Sequence, residues 1–437
     1  MASDGIGVGL IGCGTVGSGV LTLLLDEAEL YARRLGRRLE LRRVLRRSAQ
    51  EDATTARLVA GVVTTDADDF FATDDMQIVV ELVGGTEAAG DYVRRALEMG
   101  KAVITANKAL ISADGVALFE LAREHGTVVA FEASCAGGIP IITALQHHLA
   151  ANRITAMYGI LNGTCNYILT RMTGAGLAYD DALAEAQAAG YAEADPTLDV
   201  NGSDTMHKLL ILASLAFGVR MDGGHVEPRG IDTLELRDIR FGEELGYTIK
   251  LLAIAERVGE GLSLSVEPCF LHAGEPLAQV GGSFNALSVF GHALGHNMYL
   301  GRGAGMMPTA SAVMGDVLNV ASGAYGALFD GLRVWPDQQE AVRWLGGDES
   351  RGRYYLRVNA MDRPGVVAAF SKALGDQNIS IAAVSQHEVN ADQFVPVVIV
   401  THEARAGDVR TAAGHIAALD EIDGEPVCIR IVDFPEG

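Results

Sequence analysis

Apolar residues run from Ile6 to Ile11 and then break at glycines, a pattern that predicts a strand buried on both faces and followed by a turn. Further strands are predicted at Leu39–Leu45, Gln77–Val83, Lys101–Thr105 and Val128–Glu132. Helical spacing separates them, beginning near Ser18 and recurring at Ala89–Met99 and Gly115–His125. Strand and helix in alternation predict an α/β, Rossmann-type doubly wound parallel sheet over residues 1–136.

From about Gly137 the pattern changes. Ile141–Ala150 reads as helix, Ile154–Leu161 as strand and Asn166–Met172 as helix. The apolar run Leu209–Leu215 reads as a buried helix capped by Ser203 or Asp204. Tyr247–Arg257 is expected to be helical, Leu262–Leu271 a strand, and Asn285–Phe290 and Met298–Gly301 short strands. Residues 137–305 are therefore expected to form a mixed α+β substrate and dimerisation domain. A helix at Pro308–Ala321, within 306–334, would return to the first domain, and the polar stretch 335–352 reads as a linker. Residues 353–437 follow the order β-α-β-β-α-β, with strands at Arg353–Ala360, Ile379–Glu388, Phe394–His402 and Pro426–Val432 and helices at Val366–Gln377 and Gly407–Leu419. That order is ferredoxin-like.

Composition narrows the functional classes. A chain of 437 residues is expected to divide into two or three domains. The net charge of −22 argues against nucleic acid or an anionic membrane as partner, but leaves room for an anionic cofactor held by local donors. The five cysteines are scattered without a C-x-x-C pair, which fits a reducing cytoplasm and supports neither a disulfide framework nor a zinc knuckle. The apolar stretch Ile6–Val20 lacks a basic leader and is broken by glycines, so it reads as strand and turn, not as a signal peptide. No apolar run is long and unbroken enough to span a membrane.

Two motifs carry chemistry. Gly12-x-Gly14-x-x-Gly17 follows the first strand and opens the first helix, where Thr15 and Val16 would offer backbone N–H groups to a pyrophosphate. The acid that would grip a ribose 2′-hydroxyl is absent after the second strand. Arg46-Arg47 stands there instead and suits a 2′-phosphate, which leans toward NADP over NAD, although a plain basic turn reads the same way. The second motif is Gly190-Tyr191-Ala192-Glu193-Ala194-Asp195-Pro196, continuing through Asp199, Gly202 and Asp204 to Lys208. Asp204 and Lys208 are spaced to share one helix face. A lysine among carboxylates at the mouth of an apolar helix is a candidate proton-transfer group, while a solvated surface ion pair is the plain alternative.

This second motif resembles the signature of homoserine dehydrogenases, and the likeness extends over essentially the whole chain. Thr105-Ala106-Asn107-Lys108 is similar to that family's T-x-N-K element, and Gly84-Gly85-Thr86 would line the same crevice. Asn162-Gly163-Thr164 and Gly301-Arg302-Gly303-Ala304-Gly305 also match, with Gly303 expected near the cofactor. The stretch Glu132–Pro140 is similar to the family's cation loop, which implies a sodium-type ion held by Glu132 and by the carbonyls of Cys135, Gly137 and Ile139; a hinge loop without an ion is the alternative. Asp362-Arg363-Pro364-Gly365 resembles the first turn of an ACT domain, which implies an amino-acid effector, threonine, unless the domain serves assembly alone. The resemblance implies reversible interconversion of L-homoserine and L-aspartate 4-semialdehyde with NADP or NAD. Lys208 would transfer the proton, with Lys108 as its rival. Asp204 would orient Lys208 or hold substrate, and Glu193 and Asp199 would meet the substrate ammonium. A homodimer or homotetramer is expected. An amine-carbon dehydrogenase on the same fold, or a sensor that has lost activity, are the competing readings.

Overall fold

The computed structural model describes residues 5–48, 55–220, 226–386 and 393–435. Strands β1 (Ile6–Ile11), β2 (Leu39–Leu45), β3 (Val63–Thr64), β4 (Ile78–Glu81), β5 (Ala102–Thr105) and β6 (Val129–Ala130) form one sheet in the order β3-β2-β1-β4-β5-β6. Every neighbouring pair is parallel. The order reverses between β1 and β4, and a crevice opens there at the carboxyl ends of the strands, as expected of such sheets. β1 is buried along its whole length, which explains its unbroken apolar run. Helix Met306–Ala321 lies against helix Thr15–Asp26. A Cβ on Gly19 would stand 2.9 Å from the Ala310 Cβ, so only glycine allows this approach.

The second sheet is mixed. β7 (Ile154–Ile160), β8 (Tyr247–Val258), β9 (Gly261–His272), β10 (Phe284–Gly291) and β11 (Gly295–Arg302) form its first part, in the order β11-β10-β7-β8-β9. The helix expected at Tyr247–Arg257 is a strand. Its Ala, Leu and Lys content favours helix, but β8 is central, paired with β7 on one side and along its length with β9 on the other. Burial on both faces removes the alternation that would have marked it, and tertiary pairing overrides propensity. The cap of helix Ser203–Phe217 also differs from expectation. Gly202 holds that position with φ +85, and the Asn201 side chain takes the Ser203 N–H. Asp204 does not cap, because its carboxylate is drawn to two lysines.

Segment 335–352, expected as a linker, packs on the body. Trp335 is fully buried edge-on against Phe329, and Arg123 bonds Asp337 while lying over the Phe329 ring. β12 (Arg343–Leu345) pairs with β9. β13 (Arg351–Met361), β14 (Ile381–Gln386), β15 (Phe394–Thr401) and β17 (Val427–Val432), with the two-residue β16 (Ala404–Arg405) between the last two, complete the fold. The order β17-β13-β15-β14 is ferredoxin-like, with helices Val366–Asp376 and Ala406–Ala417. Residues 387 and 388 of the strand expected at Ile379–Glu388 lie outside the described residues.

β17 also pairs with β9, so this C-terminal sheet continues the preceding one. Two ion pairs reinforce the seam. Arg357 meets Asp238 through both carboxylate oxygens at 2.5 and 3.0 Å, and Arg430 meets Glu256 at 2.8 Å. Among the described residues no single helix is long and apolar enough to cross a membrane.

Candidate active site

The glycine turn after β1 divides its labour. Gly12 has φ +92, and a Cβ there would press on the Leu82 carbonyl at 2.8 Å. A Cβ on Gly17 would collide with the Gly12 carbonyl, so this glycine serves helix-to-strand packing. Gly14 faces open space at the N-terminus of helix Thr15–Asp26, where backbone N–H groups and the helix dipole favour a phosphate. Thr15 and Val16 form that first turn. A crevice of about 850 Å³ extends from it, lined by Arg46, Arg47, Gly84, Gly85 and Thr86 among others. Arg46 donates to Thr55 at 3.0 Å and is half-buried, whereas Arg47 is exposed.

A buried network fixes the far wall. Thr105 Oγ1 donates to Glu81 Oε2 at 2.7 Å, and Glu81 Oε1 accepts from the N–H of Val83 at 2.6 Å. Asn107 caps helix Lys108–Glu124 through Leu110 N–H and donates to the Gly85 carbonyl at 2.6 Å. Glu81 and Asn107 thus set the glycine pair and the start of the helix that carries Lys108. Sequence reasoning gave Glu81 no role, although an acid in an otherwise apolar strand was a signal.

The lysines converge on one carboxylate. Lys208 Nζ lies 2.7 Å from Asp204 Oδ2, and Lys108 Nζ lies 2.8 Å from Asp204 Oδ1. Asn162 donates to Asp204 at 2.9 Å and to Asp199 at 2.8 Å. Lys208 also donates to the Leu161 carbonyl at 2.8 Å. Burial opposes ionisation of Asp204, yet Lys208 and Lys108 together outweigh it and hold the carboxyl well below the usual range. Burial likewise works against the Lys108 ammonium, but Asp204 prevails and raises it. Burial lifts the Asp199 carboxyl, only partly opposed by the Asn162 amide. Lys108 begins a helix of the first sheet's region and Lys208 lies on a helix of the mixed region, so the cluster joins the two. The plain reading of Lys208 as a solvated surface pair does not hold, because its side chain is only 12% exposed.

The loop Glu132–Ile139 lies beside this cluster. The Glu132 carboxylate accepts from the N–H groups of Ile142 and Thr143 at 2.9 and 2.7 Å, and the Ile139 carbonyl accepts from Ile141 at 2.8 Å. Ala136 and Gly137 are left-handed, and a Cβ on Gly137 would meet the Gly303 carbonyl at 2.5 Å. Asp316 accepts from the Glu132 N–H at 2.9 Å. Burial raises both carboxyls, Asp316 strongly. Burial also pushes the Cys135 thiol up to about 12, which disfavours a thiolate there.

Glu193 stands apart in this structure. Its side chain is exposed, and its carbonyl accepts from Gln187. His292 lies at the β10–β11 turn, where its Nδ1 accepts from the Arg153 N–H at 3.1 Å, and His296 lies on β11 with its ring stacked on Phe290 at 4.4 Å. Among the described residues no three His, Cys, Asp or Glu side chains gather as a metal cage.

A dinucleotide crevice, tied through Asn107 and Gly85 to the helix whose Lys108 joins the lysine–carboxylate cluster, defines a nicotinamide-dependent oxidoreductase. Family models agree: residues 12–132 match the homoserine dehydrogenase NAD-binding domain, 140–318 homoserine dehydrogenase itself, and 354–419 the ACT domain. The homoserine dehydrogenase of Neisseria gonorrhoeae is 41% identical over 98% of both chains. The crystal structure of a homoserine dehydrogenase from Thiobacillus denitrificans superposes with a TM-score of 0.92 at 42% identity, covering 99% of each chain. A hyperthermophilic archaeal homoserine dehydrogenase in complex with NADPH matches 72% of this chain and 97% of its own, at 26% identity and a TM-score of 0.61. The chain belongs to the homoserine dehydrogenase family, and its reaction is the NAD(P)-dependent interconversion of L-homoserine and L-aspartate 4-semialdehyde in threonine and methionine biosynthesis.

Proposed function

We propose that Lys208 is the proton-transfer residue of this reaction. What carries the reading is its amine, enclosed at the cleft and bonded to Asp204 and Leu161. Two of the three ammonium N–H groups are engaged there, which leaves one for a substrate oxygen. Bound NAD(P) supplies or accepts the hydride at nicotinamide C4. On reduction Lys208 gives its proton to the carbonyl oxygen, and on oxidation it takes the hydroxyl proton. Asp204 holds Lys208 and Lys108 in register, and Lys108 contacts substrate. Asp199 and Glu193 meet the substrate ammonium, Glu193 by movement of its exposed loop. Turnover of Lys208→Ala tests this assignment.

The fit of the crevice supports a dinucleotide with Gly12, Gly14, Thr15, Val16 and Gly17 at the pyrophosphate. Gly84, Thr86, Thr105 and Gly303 would lie along its nicotinamide half. Arg46 and Arg47 favour NADP through the 2′-phosphate. We extend the proposal to a monovalent cation at the loop of Glu132, Cys135, Gly137 and Ile139. Burial pushes the Glu132 and Asp316 carboxyls there toward their neutral forms, and a cation at the loop would favour the ionised forms instead. Activity and melting temperature in sodium against choline test it. The remaining proposals are a homodimer or homotetramer in the cytoplasm, threonine bound at the ACT turn, and division into domains at 1–136, 137–305 and 353–437 with the 306–334 region returning to the first.

A further inference from the structure

The Leu161 carbonyl that holds Lys208 has a second donor. Asn285 Nδ2 reaches it at 2.9 Å from β10, and both residues are buried. The other face of the Asn285 carboxamide abuts Gly303, where any Cβ would collide with it. Its Oδ1 is buried, with no hydrogen-bond partner among the described residues. The chain leading to Asn285 is fixed in turn. Asn166 donates to the carbonyls of Val280 and Phe284 at 3.2 and 3.0 Å, and Lys250 donates to Val280 at 2.6 Å.

We propose that Asn285 is a positioning residue that aims the Lys208 amine through the Leu161 carbonyl and ties it to the Gly303 loop. The proposal rests on the proton-transfer role of Lys208. A neutral lysine has two N–H groups and one lone pair. If the two N–H groups stay on Leu161 and Asp204, the lone pair must face the remaining direction, toward the substrate hydroxyl. That holds only while the Leu161 peptide plane is fixed, and the Asn285 bond fixes it. The Asn285 amide thus adds a second donor to a carbonyl that Lys208 already engages, and so couples the two side chains through one oxygen.

The groups facing Lys208 are Asp204 on its own helix, Lys108 on the neighbouring helix, Asp199 on the preceding turn, and the thiols of Cys135 and Cys165. None of them changes in Asn285→Ala or Asn285→Leu. Both variants are expected to lower kcat for homoserine oxidation by about tenfold to a hundredfold, with KM for homoserine and Kd for the cofactor within about threefold. The acidic limb of the kcat–pH profile should move by about half a pH unit or more. In a Lys208→Ala background Asn285→Ala should cost nothing further. An unmoved limb, or an equal fall in both backgrounds, overturns the proposal. Near-wild-type turnover in Lys208→Ala alone would sink the proton-transfer role, and the positioning role with it. Should the Asn285 variants not fold, Gly303→Ala drives a methyl into the same carboxamide. It should displace the same limb, and an unmoved limb there overturns the proposal.

Discussion

Lys108 and Lys208 sit on opposite oxygens of the Asp204 carboxylate, at 2.8 and 2.7 Å. The two rivals for proton transfer are thus parts of one charged unit, and their roles separate by what else they touch. Lys208 is held by Leu161 as well, with its side chain 12% exposed against 38% for Lys108. Lys208→Ala is expected to lower kcat by about a hundredfold to ten-thousandfold with little change in cofactor affinity. Lys108→Ala should chiefly raise KM for homoserine. Steady-state kinetics of the pair decides, and the reverse pattern would exchange the roles.

The second prediction concerns cofactor choice. Arg47 is exposed at the crevice, whereas Arg46 already donates to Thr55. Arg47→Gln should therefore raise KM for NADPH by about tenfold, the scale of one charge-assisted hydrogen bond, and leave NADH nearly unchanged. Arg46→Gln should add less and also loosen the turn that reaches Thr55. Equal effects on both cofactors would remove these arginines from 2′-phosphate recognition.

What was legible in the sequence was local. The spacing of Gly12, Gly14 and Gly17 encodes one turn, and Asp204 with Lys208 share one helix face, so both could be read from neighbours in the chain. The contact of Lys108 with Asp204 could not, because it joins two domains. Asn285 gave no signal, since a single amide in an apolar strand reads like any other polar position. The helix expected at Tyr247–Arg257 failed for a different reason. A central strand covered on both faces loses its period, and composition then favours the wrong element.

Lys250 allows a test of buried charge. It is 3% exposed, and burial holds its amine at about 8, below the usual lysine range. Below that pH both folded and unfolded chains carry the charge, and the folded state bears the full cost of burying it. Above it, up to the ordinary lysine pKa, the unfolded chain binds more protons than the folded one. Stability therefore rises with pH through this window, by at most about 1.4 kcal/mol per pH unit. Lys250→Met should lack that rise. Urea unfolding near pH 7 and near pH 9.5, about one unit below the unfolded lysine value, should show the variant losing ground to wild type. Parallel pH dependences would mean that Lys250 stays charged in the fold.

The C-terminal domain calls for a gentler probe than deletion. A chain ended at Glu349 would lose Arg357 and Arg430 and leave Asp238 and Glu256 without their partners. Such a truncation would also bare the β9 edge that pairs with β17, so a loss of threonine sensitivity in it would not separate regulation from structural damage. Gly365 is a local alternative. It begins helix Val366–Asp376 with φ +96, at the turn from Asp362 to Gly365 proposed for the effector, and no described residue stands near a Cβ there. Gly365→Ala would strain that turn by about 1–2 kcal/mol and touch neither ion pair. Turnover without threonine should stay within about twofold, while the threonine concentration for half-inhibition should rise by about tenfold, as expected where the strained turn relaxes out of its binding geometry and about 1.4 kcal/mol must be spent to restore it. Allostery needs an effector that binds two states unequally, so wild-type protein must also show threonine binding by calorimetry. Absence of binding by threonine or any other amino acid would defeat the regulatory proposal and leave the dehydrogenase activity untouched.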